Sequence, residues 1–339
     1  MDRISQLSDD LLLRILSCVP TKDVVATCLL SKRWQFLWML VPQLRYNVIN
    51  HTGDYKSFSQ FVYRSLLSNK APVLERLHLN LGPDCPAIDI GLWIGCPNLE
   101  ELFLERHDQD SEMDFTVVVP SLRRLSMMDK NYVKCGRYVI DVPSLKYLNI
   151  TDEAVYNVRQ IENMPELVEA YVEITQGVTH KFLRALTSVR HLSLCLSLSE
   201  IMCPSGMIFN QLVHLNLYTF AQGWWDLLIY MLQGSPKLRF LKLIDKHDSL
   251  LFGEETPIGW KLPSSVPECL LFSLEAFEWI GYKGRRGDRE MATYILKNAT
   301  CLRTATFTPE SSDVGEKYHM LKELASIPTA STSSKLLFD

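Results

Sequence analysis

Ten segments of this chain share one pattern: an apolar residue, two of any kind, a second apolar residue, one of any kind, and a third apolar residue. It is plainest in Pro120–Asp129, PSLRRLSMMD, which returns 23 residues later as PSLKYLNITD, Pro143–Asp152. The triplets are Leu74, Leu77, Leu79; Leu99, Leu102, Leu104; Leu122, Leu125, Met127; Leu145, Leu148, Ile150; and Leu167, Ala170, Val172. They continue as Val189, Leu192, Leu194; Leu212, Leu215, Leu217; Leu238, Leu241, Leu243; Leu274, Phe277, Trp279; and Leu302, Ala305, Phe307. First positions are 25, 23, 23, 22, 22, 23, 26, 36 and 28 residues apart. A repeat of this period constrains the fold strongly, because one unit cannot bury its own apolar face and must stack on its neighbours.

Most of these intervals fall in the ~20–29-residue range of leucine-rich repeats. The alternation within each triplet predicts a short strand with its leucines in a shared core. A Pro often opens the unit (Pro97, Pro120, Pro143, Pro165, Pro236), where a turn feeds the strand. The fold class expected is therefore α/β, a leucine-rich-repeat solenoid with a curved parallel sheet.

Function then belongs to the residues between the leucines, which alternate to the open face. The central column reads His78, Phe103, Ser126, Asn149, Tyr171, Ser193, Asn216, Lys242, Glu278 and Thr306. Its mixed charge disfavours nucleic acid and offers no cluster for a polyphosphate. Phe103, Tyr147, Tyr171 and Tyr218 are the candidate target-binding residues, since aromatics are enriched at interface centres.

Of 339 residues, 47% are hydrophobic and 22% charged, with a net charge of −4, which describes a folded chain without a basic surplus. The nine cysteines are scattered, with no C-x-x-C, which argues for reduced thiols and against zinc or a disulfide framework. The start, MDRISQLSDD, lacks the basic and apolar regions of a secretory signal, and no run approaches the ~20 apolar residues of a membrane span. The sequons at Asn50, Asn149 and Asn298 are then incidental. No G-x-S-x-G, H-E-x-x-H, phosphate loop or dinucleotide fingerprint occurs, and the histidines are dispersed. No catalytic, cofactor or metal residues are expected.

The first forty-six residues predict three short helices. Ser8 caps the first, with Asp9 and Asp10 in its first turn and Leu11, Leu12, Ile15, Leu16 and Val19 at helical spacing. Pro20 stops it. Thr21 is placed to cap the second, and Ser31 the third, which carries Trp34, Leu37 and Trp38. So small a unit has more apolar surface than it can bury alone. This segment resembles an F-box in Leu7, Leu11-Leu12, Ile15-Leu16, Pro20, Leu30-Ser31-Lys32-Arg33-Trp34 and Leu37-Trp38. It departs at Ser8, where that family usually has Pro. The resemblance implies docking to a Skp-type adaptor, and through it to cullin and RING proteins. Its implied contacts are Leu7, Leu11, Leu12, Ile15, Leu16, Val19, Pro20, Trp34 and Trp38.

After the repeats, Val266–Phe307 predicts a strand, a Gly-rich turn, a helix capped by Asp288, and a strand. It resembles the FBD domain of plant F-box proteins in Val266-Pro267-x-Cys269-Leu270-Leu271, Leu274-Glu275-x-Phe277, Gly281-Tyr282-x-Gly284 and Tyr294-Ile295-Leu296-x-Asn298-Ala299. Arg285-Arg286-Gly287-Asp288-Arg289 replaces that family's acidic turn and reads as a solvated basic loop. Trp224, Trp225 and Trp279 read as packing, and Trp260 lies in the long interval before the block.

With all three parts, the chain is identified as similar to the plant F-box/FBD/leucine-rich-repeat proteins. The expected division is 4–46 F-box, 47–73 linker and capping helix, 74–259 repeats, 260–309 FBD and 310–339 tail. Ile88–Ile94 resembles the start of one repeat and Gly95–Leu99 the end of a later one, so repeats present in relatives are expected to be missing near Ile94–Gly95. The resemblance implies a non-catalytic substrate-recognition subunit of a Skp–cullin–F-box ubiquitin ligase in the nucleus or cytoplasm. The alternative is a repeat scaffold that binds partners without recruiting a ligase. No target is named by the sequence.

Overall fold

The computed structural model describes residues 4, 6–82, 85–95, 98–106, 114–129, 137–152, 158–162, 164–174, 178–196, 206–219, 224–245, 263, 265–311 and 313–338. Pro97, Cys96, Cys135, Cys203 and Trp260 lie outside the described residues. The chain divides into two compact units, Met1–Glu166 and Leu167–Asp339.

The first unit opens with helices α1 (Asp9–Leu16), α2 (Thr21–Ala26) and α3 (Lys32–Leu37). Strand β1 (Gln43–Asn47) and helix α4 (Tyr55–Ser68) follow. Then come β2 (Arg76–Leu81), α5 (Ala87–Ile94), β3 (Glu101–Arg106), β4 (Asp114–Val117), β5 (Arg124–Asp129), β6 (Arg137–Ile140), β7 (Tyr147–Asp152) and β8 (Val158–Ile161). Strands β1-β2-β3-β5-β7 form one parallel row, and β4-β6-β8 a second, smaller one. The second row was not legible from the repeat pattern. It arises because each unit here returns through another short strand that buries Phe115, Val117, Tyr138 and Ile140.

The second unit contains β9 (Glu169–Ile174), α6 (His180–Ala185), β10 (His191–Leu196), β11 (His214–Tyr218), α7 (Trp224–Gly234) and β12 (Phe240–Ile244). It continues with α8 (Glu268–Phe272), β13 (Ala276–Tyr282), α9 (Arg286–Asn298), β14 (Thr304–Pro309), α10 (Val314–Ala325) and β15 (Lys335–Phe338). Its strands β9 to β15 pair parallel in chain order. The stretch expected as a tail thus supplies a helix and a further strand, and helix α8 precedes the strand where the FBD-like block was expected to begin.

The chain is α/β with parallel strands, and all ten predicted strands are present. Every residue of the ten triplets is at most 6% exposed. Adjacent units are also stitched through their turns. Ser144 Oγ donates to Pro120 O at 2.6 Å and Leu122 O at 3.0 Å, and Ser121 Oγ donates to Leu99 O at 2.8 Å. Ser273 repeats the bond to Pro236 O and Leu238 O at 2.8 and 3.0 Å. The serine before the first leucine therefore satisfies carbonyls of the unit before it.

Candidate functional site

The N-terminal helices carry their own core of Leu12, Leu16, Val24, Trp34, Leu37 and Val41, with Leu7, Leu13, Val19 and Trp38 packed partly buried against it. Ser8 caps α1 as expected, its Oγ accepting from Leu11 N at 3.4 Å, and its φ of −66° is one that a proline would also adopt. Thr21 does not cap α2. Pro20 stands there, and the Thr21 hydroxyl accepts instead from Arg45 N at 2.7 Å, tying the helices to the first strand. Arg33 donates to Asp9 Oδ1 at 2.5 and 2.8 Å and to Leu7 O at 2.6 Å, which closes α3 against the start of α1.

This packing divides the nine implied adaptor contacts. Leu12, Leu16 and Trp34 lie inside the helical core and present no surface to a partner. Leu7, Val19 and Trp38 are half-buried on its edge. Leu11, Ile15 and Pro20 are exposed. Exposed with them are Leu29, Leu30, Phe36 and Leu40, which were not among the implied adaptor contacts. Their signal was present in the apolar pair immediately before Ser31 and in Phe36, which lies off the Trp34–Leu37 face.

On the strand faces, parallel register aligns the central column. His78, Phe103, Ser126 and Asn149 are neighbours in the first unit. Tyr171, Ser193, Asn216, Lys242, Glu278 and Thr306 are neighbours in the second. All four candidate aromatics are half-buried. Phe103 packs against the His78 ring at 5.9 Å, and Tyr147 lies under the Arg124 guanidinium at 4.1 Å. Tyr171 and Tyr218 meet edge to face at 6.2 Å, and the Tyr171 hydroxyl donates to Glu173 at 2.7 Å. Burial, then that carboxylate, holds the Tyr171 hydroxyl protonated well above the usual tyrosine range. Beside this pair, His191, His214 and Phe240 form a ring ladder with centroids 4.6 and 4.2 Å apart.

The basic loop is neither free nor merely solvated. Arg285 bridges two buried carboxylates, Asp245 at 2.5 Å and Asp288 at 3.0 Å, and Lys283 adds a contact to Asp245 at 3.4 Å. Arg286 pairs with Glu290 and Arg289 with Glu323. Helix α9 begins at Arg286, with Arg285 as its N-cap. Asp288 sits at the third position and accepts from Arg285 N at 3.1 Å, which satisfies the N-cap amide.

Among the described residues, no group of three His, Cys, Asp or Glu side chains is placed to hold a metal, and no helix is long and apolar enough to cross a membrane. Burial pushes the thiols of Cys85 up to about 11 and Cys269 up to about 12, away from nucleophilic use. Trp224, Trp225 and Trp279 are buried, with Trp224 edge-on to Trp279 at 6.0 Å.

Comparison with known proteins agrees with this geometry. Residues 4–45 match the F-box domain model, and residues 261–307 match the FBD model. An F-box/FBD/LRR-repeat protein of Arabidopsis thaliana is 68% identical over the whole of both chains. A putative F-box/FBD/LRR-repeat protein of that plant is 42% identical, covering all of this chain and 99% of the relative. An FBD-associated F-box protein is 37% identical over the whole of both. The chain belongs to the plant F-box/FBD/LRR-repeat proteins. The first of these alignments runs over 419 positions against 339 residues here, so 80 internal positions face no residue in this chain.

Proposed function

We propose that this F-box protein is the substrate-recognition subunit of a Skp–cullin–F-box ubiquitin ligase. The observation that carries the reading is a three-helix cap whose core is closed, yet which exposes Leu11, Ile15, Leu29, Leu30, Phe36 and Leu40. Each large apolar side chain is worth about 1.5–3 kcal/mol when fully buried, so this surface favours a protein partner. A Skp-type adaptor is that partner, with cullin and RING proteins joined through it, in the nucleus or cytoplasm.

The chain acts by proximity and performs no chemistry of its own. The adaptor-bound cap and the strand faces hold a target near the ubiquitin-charged partner, which lowers the entropy cost of transfer. Phe103, Tyr147, Tyr171 and Tyr218 are the proposed target contacts.

Co-purification with a Skp-type adaptor tests the reading. Wild type is expected to retain the adaptor, and Leu11→Asp or Phe36→Asp to lose it while the far-ultraviolet circular dichroism is unchanged. Failure of wild type to capture the adaptor would favour a scaffold that recruits no ligase, as would full retention by both variants.

A further inference from the structure

A cleft of about 440 Å³ opens in the first unit where α2 and the start of α4 meet the strand face. One wall is polar: His78 and Asn80 of β2 and Glu105 of β3. Asn80 Nδ2 donates to Glu105 Oε2 at 2.8 Å. A carboxylate only accepts, so the amide nitrogen must face it and Asn80 Oδ1 must face away. That oxygen is buried without a hydrogen-bond partner, and so is His78 Nε2, which lies 3.5 Å from Glu105 Oε1. Buried polar atoms are ordinarily satisfied; His78 Nε2 faces a carboxylate and so serves as a donor to it, whereas Asn80 Oδ1, with no donor of its own, marks a place for a donor group beside Glu105.

The lining also holds aromatic rings. His51 stacks on Phe61 at 6.1 Å and meets Phe58 edge-on at 5.6 Å, its Nε2 held by Ser57 Oγ at 3.1 Å. Ring faces of this kind attract a cation. A simple cation is nevertheless poorly matched, because Arg45 and Lys22 also line the cleft. Arg45 is exposed, and Lys22 Nζ reaches Asn50 O at 3.4 Å. A simple anion would meet Glu105 and Asp23.

We propose that this cleft binds a small amino-acid-like molecule, its cationic head on Asn80 Oδ1 and Glu105 and its carboxylate end toward Arg45 and Lys22. Register sets the length. Arg45 stands beside His78, and Asn80 beside Glu105, so the charged ends lie two strands apart, on the order of 10 Å. That span suits a molecule between arginine and a dipeptide in size. Pro20, one of the implied adaptor contacts, also lines the cleft, so the titration uses the chain without adaptor and is read separately from the pull-down.

The test is a calorimetric and ligand-observed NMR titration of the full chain with L-arginine as probe. Agmatine, which lacks the carboxylate, and L-citrulline, which lacks the cationic head, are the comparators. L-arginine is expected to bind, with both comparators weaker by roughly tenfold or more. Glu105→Gln and Arg45→Ala are each expected to weaken L-arginine several-fold, and Arg45, being exposed, leaves the fold intact. Absence of L-arginine binding would overturn the proposal. So would equal binding of either comparator, or unchanged affinity in both variants.

Discussion

Arg285 shows what a single residue carries in this protein. Its guanidinium neutralises Asp245 and Asp288, which are both almost fully buried. Removing one partner of a buried charge group leaves the others uncompensated. Arg285→Met is therefore expected to cost about 3–5 kcal/mol, read by urea denaturation. Gly281 stands beside the same cluster with φ of +74°, and a Cβ there would lie 2.4 Å from Asp245 O. Gly281→Ala should destabilise by more than the ~1 kcal/mol of the backbone conformation alone, measured the same way. His214 gives the chain a pH dependence. Burial, then the charges of His191 and Arg239, holds its imidazolium below the ordinary histidine pKa. The unfolded chain then takes up a proton that the folded chain resists, so stability is full above about pH 6.5 and falls as pH drops below it. His214→Phe should flatten that part of the stability curve. The leucine positions were readable at this scale because burial follows a period. The partner of Arg285 was not, because it lies forty residues away and meets Arg285 only through strand register.

At the scale of elements, the N-terminal helices separate two roles that one apolar stripe had merged. Leu16 is 3% exposed and Trp34 is 8% exposed, both within the helical core. Leu16→Ala is expected to cost about 2–5 kcal/mol and loosen the whole cap, seen as loss of helical signal before the rest of the chain unfolds. Leu11→Asp, by contrast, changes an exposed position and should leave thermal stability within about 0.5 kcal/mol of wild type. Helical periodicity identifies the stripe. It does not say which part of the stripe another helix covers, since that depends on crossing geometry and on clamps such as Arg33 to Leu7 O and Asp9. The same limit hid α8 and the second strand row, whose short segments are too brief to show a period.

At the scale of the molecule, the chain is shorter than its relatives from within. Eighty alignment positions are about the length of three of its repeats. The expected join near Ile94–Gly95 falls at the end of α5, and the strands on either side of it, β2 and β3, pair in register from Arg76 with Glu101 to Leu81 with Arg106. Helix α5 is pinned by Phe58 against Trp93 at 6.1 Å and by Tyr55 and Ser59, which donate to Asp89. Ile90 and Trp93 are buried. Limited proteolysis is therefore expected to show no preferred cut between Ala87 and Ile94. A dominant early cut there would mean that the join is strained.

The repeat period, the helix stop at Pro20, and the two flanking family patterns were set by the sequence alone, because each is a local rule about which residues bury, cap or break. Parallel register followed from them, since stacked units of nearly equal length have one way to share a core. Folding alone settled which apolar residues of the cap face outward, which carboxylates Arg285 neutralises, and that Asn80 and His78 meet Glu105 in a cleft also lined by aromatic rings. Those outcomes depend on contacts between residues far apart in sequence, where packing and charge pairing act through space and leave no periodic trace.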